Sequence, residues 1–180
     1  MKLYGFPPSP NTWKVRALAA HLDIPLEFEM VDLTQGDQRT PGFLALNPAG
    51  RTPVLVDGDF ALWESEAILQ YLAEKTGKFC PADPVLRWDV TQWLFWQMGG
   101  FGPMLGQAHH FLAYAPMNPA GAQVLPYAQD RYRNEAARLY GVLDHQIADK
   151  DHVAGDGYSI ADMAIFPWCR LHERQQQDLN

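Results

Sequence analysis

The sequence predicts an α+β domain at the N-terminus followed by an all-α domain, and three observations support this division. Short β-rich runs occur in the first third of the chain, between residues 2 and 63. The stretch from Phe79 to Pro84 is rich in proline and indicates a linker. Beyond it, apolar residues recur at helical spacing without a strand pattern. We therefore predict domains at residues 1–78 and 85–180, joined by a linker at 79–84.

Within residues 1–78 the predicted elements follow the order βαβ, a helical turn and ββα, which is the order of a thioredoxin-like fold. After a first strand at 2–6 and a proline-rich loop, Asn11 or Thr12 is the expected cap of the first helix. Alternating apolar and polar residues predict a strand at 26–31. The remaining elements are a helical turn at 41–46, hairpin strands at 54–56 and 60–63, and a helix at 66–76 ended by Gly77.

The second domain is predicted to be helical throughout. Helices are expected at 85–98, 104–111 and 126–149, and the glycines and proline at 99–103 are expected to break or kink the first one. Its tryptophans are interpreted as core and interface residues: Trp88, Trp93 and Trp96. Ser159 followed by Asp162 predicts a capping box, with Asp in place of the usual Glu.

Composition limits the classes of function. The 180-residue chain has a net charge of -7 with scattered charges, which disfavours nucleic-acid binding. It shows no membrane-length apolar run and no signal-peptide pattern, so a cytoplasmic protein is expected. Cys80 and Cys169 are far apart, which disfavours a disulfide framework or structural zinc. His109 and His110 are adjacent on a helix and point apart, so we predict no metal site.

The stretch at residues 47–68 combines features that point to peptide binding. Thr52-Pro53 stands before the first hairpin strand, and a cis bond there would expose the backbone N–H and C=O of Thr52 to an extended peptide. Ser65, a natural helix cap, opens the following helix, whose N-terminus suits a carboxylate. We therefore predict a receptor for a small extended peptide with a free carboxylate. A hairpin followed by a capped helix accounts equally for the local structure.

Two motifs carry a resemblance to a known family. Asn-Pro-x-Gly-x-Thr-Pro-x-Leu at 47–55, followed by Glu-Ser-x-Ala-Ile at 64–68, resembles the glutathione-site signature of the glutathione transferase superfamily. Residues 96–111, Ser-Pro-Asn at 9–11 and residues 126–132 are similar to its bacterial Nu class, whose members reduce disulfides with glutathione. Two departures are that the class usually has threonine where Ser9 stands, and that the chain stops at Asn180, before the final helices that the family normally has.

The resemblance places Ser9 and Asn11 at the thiol of glutathione. A free thiol has a pKa of about 8.5, so the site must favour the thiolate. A hydroxyl O–H, backbone N–H groups and a helix dipole can all stabilise the sulfur anion. Ser9 as an ordinary loop or cap residue is the alternative that its local sequence supports by itself.

The resemblance also implies residues that bind the remainder of glutathione. Thr52, next to Pro53, would pair with the cysteinyl backbone, while Glu64 and Ser65 would hold the γ-glutamyl ammonium and carboxylate. Further candidates could equally be surface residues: Gln38 and Arg51 for the glycyl carboxylate, and Arg131 for a second glutathione.

The resemblance therefore implies a glutathione transferase-like enzyme that reduces disulfide bonds with glutathione as cosubstrate and no protein cysteine. Two alternatives remain open, namely a transferase that conjugates glutathione to electrophiles and a non-catalytic glutathione-binding module. The resemblance also implies a homodimer, in which the helix at 66–76 meets the second domain of the partner.

Overall fold

The computed structural model describes residues 1–179 and forms two compact units, Met1–Ala82 and Asp83–Asn180. The first unit contains β1 (Lys2–Gly5), α1 (Pro10–His21), β2 (Glu27–Met30), a 3-10 turn (Asp37–Arg39), α2 (Pro41–Leu46), β3 (Val54–Asp57), β4 (Phe60–Trp63) and α3 (Ser65–Thr76). The predicted thioredoxin-like fold is confirmed by this order of elements.

The four strands form one mixed sheet in the order β2-β1-β3-β4. β1 runs parallel to β2 and antiparallel to β3. β3 and β4 form a hairpin in which Asp57 pairs with Phe60, so the two turn residues are Gly58 and Asp59, and Gly58 has a φ of +62°. Glycine at the first position of a two-residue turn supplies the positive φ that such a turn needs. Helices α1 and α3 contact each other and bury apolar side chains that are fully inaccessible to solvent: Val15, Leu18, Ile68, Leu69 and Leu72.

Strand β2 is more exposed than its alternation of apolar and polar residues predicted. All four of its residues, Glu27–Met30, are exposed, including Phe28 and Met30. The reason is its position, since β2 is an edge strand that pairs only with β1. Alternation of apolar and polar residues usually marks a half-buried strand, but an edge can leave both faces open.

The predicted caps of two helices in the first unit are wrong. α1 begins at Pro10 with Ser9, rather than Asn11 or Thr12, in the cap position. Proline is favoured at the first helical position because the N–H that it lacks would have no partner there. α3 begins at Ser65, so Glu64 occupies the cap position and Ser65 lies inside the first turn.

The second unit is helical, which confirms the all-α prediction. Its elements are α4 (Pro84–Trp96), a π turn (Gln97–Phe101), α5 (Gly102–His109), a second π turn (His110–Tyr114), a 3-10 turn (Ala115–Met117), α6 (Pro126–Ile147), α7 (Ile160–Cys169) and a 3-10 turn (His172–Gln175). Among residues 1–179, no helix has both the length and the apolar character needed to cross a bilayer.

Of the break or kink expected at 99–103, the break does not occur, and residues 97–101 form a π turn. Pro103 lies in the first turn of α5, and the helical path continues directly from α4 through Gln97–Phe101 into α5. A proline inside a regular helix would clash with the carbonyl four residues earlier, here that of Gly99. A wider π turn accommodates such a clash without ending the helix.

Aromatic side chains around this π turn pack against one another at the edge of the core of the second unit. Trp96 stacks on Phe101 with ring centroids 4.8 Å apart, Trp93 meets Trp96 edge-on at 4.9 Å, and Tyr140 meets Phe101 edge-on at 5.3 Å. Trp93 and Trp96 are half-buried beside the core and Trp88 is 71% exposed, so none of the three is a fully buried core residue.

The predicted capping box at the start of α7 is present. The Ser159 hydroxyl accepts a hydrogen bond from the Ala161 N–H at 3.2 Å, and the Asp162 carboxylate accepts one from the Ser159 N–H at 2.9 Å. The same carboxylate also accepts the Val153 N–H at 2.9 Å, so Asp162 ties the preceding loop to the helix.

Candidate functional site

Strand register brings three predicted site segments to one end of the sheet. Tyr4 of β1 lies opposite Val54 of β3, and Val54 lies opposite Trp63 of β4. The segments that follow β1, precede β3 and follow β4 therefore all lie at this end of the sheet. These three segments carry the Ser9 loop, Thr52-Pro53 and Glu64-Ser65, which the sequence had singled out separately.

Ser9 presents a hydroxyl without a hydrogen-bond partner in the described part of the chain. Its backbone N–H donates to the Phe6 carbonyl at 2.9 Å, and its own carbonyl accepts the Trp13 N–H at 3.0 Å. Within residues 1–179 the Ser9 hydroxyl makes no hydrogen bond, and the residue is half-buried. Asn11 is also half-buried and lies in the first turn of α1. A free hydroxyl at the positive end of a helix dipole is suited to donate to an anionic sulfur.

The peptide bond between Thr52 and Pro53 is cis, as the peptide-receptor interpretation required. The turn before it is held by Asn47, which is 2% exposed. The Asn47 amide donates to the Arg51 carbonyl at 2.7 Å, while its side-chain oxygen accepts the Ala49 N–H at 2.9 Å. In the sequence Asn47 was only the first residue of the 47–55 motif, although the side chain of asparagine often hydrogen-bonds to the backbone of a turn.

Gln38 lies beside this turn. A Cβ placed on Gly50 would lie 3.2 Å from the Gln38 carbonyl oxygen, so the two backbones approach closely. Among the described residues, the buried Gln38 Oε1 has no hydrogen-bond partner. Arg51 is exposed in the same turn. Arg131, in contrast, is an exposed residue of α6 in the second unit, and its role with a second glutathione stays a prediction.

Glu64 and Ser65 differ from each other in conformation and burial. Glu64 is exposed and has φ +72° and ψ 115°, a region that residues other than glycine rarely occupy. Strain of this kind costs on the order of 1–3 kcal/mol and is concentrated at functional sites. Ser65 is 2% exposed, and its hydroxyl donates to Glu66 Oε2 at 2.7 Å. The hydroxyl that was assigned to a ligand carboxylate therefore has a protein acceptor.

A buried lysine, which sequence reasoning missed, lies beneath this turn. Lys14 of α1 is fully buried, and its Nζ lies 2.6 Å from Glu66 Oε1 and 3.4 Å from Ser65 Oγ. Burial lowers the pKa of Lys14 below its usual value, and the charges of Glu66 and Glu64 oppose this shift. The available signal was that Lys14 stands four residues before Leu18, on the buried stripe of α1.

The cysteines and histidines show no reactive or metal-binding arrangement in the part of the chain that is described. Neither Cys80 nor Cys169 forms a disulfide within residues 1–179, and burial raises the pKa of the Cys169 thiol to about 12. His109 is buried and stacks on Tyr114, whereas His110 is exposed, so the two histidines point apart. Across residues 1–179, no three His, Cys, Asp or Glu side chains come together as a ligand set.

Comparison with known proteins extends this picture. Residues 1–74 match the family model "Glutathione S-transferase, N-terminal domain", and residues 108–180 match "Glutathione S-transferase, C-terminal domain". The chain is 42% identical to the disulfide-bond oxidoreductase YfcG of Escherichia coli strain K12 over 181 aligned residues, covering 97% of this chain and 81% of that protein. These matches confirm the resemblance that the motifs predicted.

Two solved structures are similar along almost the whole chain. A glutathione transferase from Pseudomonas putida, with one glutathione disulfide bound per subunit, has a TM-score of 0.87 at 39% identity, covering 97% of this chain and 76% of that one. A family member from Pseudomonas fluorescens pf-5, with two glutathione bound, has a TM-score of 0.87 at 38% identity, covering 94% and 75% respectively.

Proposed function

Since this chain belongs to the glutathione S-transferase family, we propose that it is a glutathione-dependent disulfide-bond reductase that uses bound glutathione and no cysteine of its own. The observation that carries the proposal is the 42% identity, over 97% of the chain, to a disulfide-bond oxidoreductase. The bound glutathione disulfide of the Pseudomonas putida relative is the oxidised product that such a reaction would form.

The thiol of glutathione is proposed to lie at Ser9 and Asn11. The free Ser9 hydroxyl donates to the sulfur, and the first turn of α1 adds the positive end of its dipole. The backbone groups of Thr52 make no hydrogen bond within residues 1–179, so they are available to a ligand. Thr52 is proposed to pair through them with the cysteinyl backbone of glutathione. Glu64 offers an exposed carboxylate to the γ-glutamyl ammonium. Gln38 lies beside Gly50, the neighbour of Arg51 in the turn, and both side chains are proposed to meet the glycyl end.

The proposed reaction proceeds in two exchange steps. The thiolate of one glutathione attacks one sulfur of the substrate disulfide, forming a mixed disulfide and releasing the other sulfur as a thiolate, which takes up a proton. The thiolate of a second glutathione then attacks the glutathione sulfur of the mixed disulfide. Glutathione disulfide forms and the second substrate thiol leaves. Two glutathione molecules are oxidised for each disulfide reduced, and Arg131 is proposed to bind the second of them.

Reduction of a small disulfide by glutathione, coupled to removal of glutathione disulfide, tests this proposal. We expect turnover with wild-type protein and with the Cys80→Ser/Cys169→Ala double variant, because neither thiol belongs to the cycle. Loss of most turnover in a folded double variant would contradict the cysteine-free cycle. Faster turnover with an electrophilic aryl halide than with any disulfide would favour the conjugating transferase.

We also propose a homodimer. Three apolar residues of α4 share one face and are strongly exposed, namely Val85 (76%), Trp88 (71%) and Phe95 (71%). Exposed aromatic residues grouped in this way mark interaction surfaces. Light scattering should report a dimer at micromolar concentration, and Trp88→Glu should shift the population to monomer. A wild-type monomer would contradict the proposal.

A further inference from the structure

The buried ion pair beneath the first turn of α3 has no role in the chemistry proposed above. Lys14 and Glu66 are 0% and 6% exposed, and their charged groups approach to 2.6 Å. Lysine and glutamate are almost never fully buried unless they are paired. Replacing such a pair by apolar residues is often neutral or stabilising. A stabilising role alone therefore gives a weak reason for charges at these positions.

The hydrogen bonds of this pair fix what the turn can offer to a ligand. The Ser65 hydroxyl has one proton, which it donates to Glu66 Oε2 at 2.7 Å. That proton is consequently not directed at a ligand carboxylate. The donors left at this turn are the backbone N–H groups at the start of α3, which no intrahelical carbonyl can satisfy. These N–H groups and the helix dipole attract an anion.

The charge of Glu66 works against such a ligand. Its carboxylate lies in the same first turn as Ser65, so an incoming carboxylate would meet a like charge in a partly buried setting. Like charges a few ångströms apart near a protein surface repel by several kcal/mol. The ammonium of Lys14, in contact with Glu66, cancels this repulsion from below.

We propose that Lys14 is a positioning residue for glutathione: it neutralises Glu66, which holds the Ser65 hydroxyl, so that the first turn of α3 receives the γ-glutamyl carboxylate through its backbone N–H groups. This inference rests on the proposed glutathione site. Lys14 acts through Glu66 and Ser65 and does not touch the ligand, since its side chain is fully buried.

The test is a double-mutant cycle read by calorimetric titration with reduced glutathione. Lys14→Met leaves Glu66 as an uncompensated anion, and we expect the Kd for glutathione to rise by about tenfold or more. Lys14→Met/Glu66→Leu removes both charges, and we expect the Kd to return to within about threefold of wild type, because the backbone donors are unchanged. In steady-state kinetics we expect the Lys14→Met variant to have a raised KM for glutathione.

Matched controls separate this effect from general loss of a lysine. Lys75 pairs with Asp57 on the exposed side of the same helix, so Lys75→Met should leave the Kd unchanged. Thermal denaturation of each variant checks folding. If Lys14→Met does not fold, Glu66→Gln serves instead, because it keeps an acceptor for Ser65 and Lys14 while removing the negative charge. We expect glutathione to bind Glu66→Gln as tightly as wild type or more tightly.

Three results would overturn the inference. The first is a double variant that binds as weakly as Lys14→Met, which would mean that Lys14 acts on the ligand directly. The second is Lys14→Met binding like wild type, and the third is Glu66→Gln binding tenfold more weakly. A fourth result, wild-type protein that does not bind glutathione, would instead overturn the proposed function itself. The failure of the inference and the failure of the proposed function therefore give different results.

Discussion

Replacing Ser9 with alanine should separate thiol activation from folding. The Ser9 hydroxyl makes no hydrogen bond within residues 1–179, and the residue is half-buried. Deleting it should therefore change the free energy of unfolding by less than about 0.5 kcal/mol. Ser159→Ala is the matched control, because that hydroxyl accepts the Ala161 N–H at 3.2 Å. Loss of such a cap costs about 1 kcal/mol.

The effect on bound glutathione should be larger than the effect on stability. A hydrogen bond to a charged acceptor contributes about 1.5–3 kcal/mol. One pKa unit corresponds to about 1.4 kcal/mol, so losing the Ser9 donor should raise the pKa of the bound thiol by about 1–2 units. At a pH below both pKa values, the thiolate fraction, and with it kcat for disulfide reduction, should fall by about 10- to 100-fold. Binding of glutathione should change little, because the hydroxyl faces only the sulfur.

The assay is a titration of thiolate absorbance in the glutathione complex, run beside disulfide reductase kinetics and thermal denaturation. If Ser9→Ala leaves the thiol pKa and kcat unchanged while Asn11→Ala shifts both, Asn11 activates the thiol and the assignment of Ser9 is wrong. If the wild-type complex holds its thiol at the pKa of free glutathione and shows no turnover, the chain is a binding module.

Three further predictions address strain, thiol reactivity and the loop before α7. Glu64→Gly relieves the strain of a φ of +72°, so the free energy of unfolding should stay constant or rise by about 1 kcal/mol. The same variant should bind glutathione more weakly, because it lacks the carboxylate. An unchanged Kd would contradict the ammonium-binding role of Glu64. Because burial raises the pKa of Cys169 to about 12, a disulfide reagent at pH about 8 should label this thiol only after unfolding. Comparing the Cys80→Ala and Cys169→Ala variants identifies which residue is labelled. Rapid labelling of folded Cys80→Ala protein would refute the prediction. The Asp162 carboxylate accepts hydrogen bonds from two backbone N–H groups, both at 2.9 Å, and Asp162→Asn would turn an amide NH₂ toward one of them. This variant should lower the free energy of unfolding by about 2–4 kcal/mol. A shift of the thermal midpoint near zero would be the contrary result.

Local patterns predicted the order of elements because their causes are local. The turn at Gly58-Asp59 fixed the hairpin, and Gly77, with φ +67°, ends α3 where a glycine is expected. The Ser159–Asp162 capping box spans only four residues and depends on no distant part of the chain. The site motif at 47–68 was likewise readable, since most of its geometry is set by a turn, a hairpin and a helix start that are adjacent in sequence.

The features that were missed depend on contacts between residues distant in sequence or on competition between local signals. Lys14 and Glu66 are 52 positions apart, and their pairing appears only when α1 and α3 pack together. In the same cluster the Ser65 hydroxyl donates to Glu66, a contact that the sequence did not predict. Trp88 has the residue type of a core position, yet it lies on the exposed face of α4. Residue type alone cannot tell which face of an apolar helix meets the core.

The π turn at Gln97–Phe101 constrains how the length of this helical stretch can vary between relatives. A π turn contains about one residue more than an α turn, so removing a single residue there would restore α geometry. The side chains before and after the turn would then keep nearly the same relative orientation, because the wide turn takes up the extra residue without changing the net rotation. A one-residue deletion within α4 or α5 would instead rotate the side chains beyond it by about 100°. The exposed Val85–Phe95 face and the buried Phe101 and Leu105 could not then both keep their orientations. Deletions of one residue in this helical stretch should accordingly fall at its π turns, Gln97–Phe101 and His110–Tyr114.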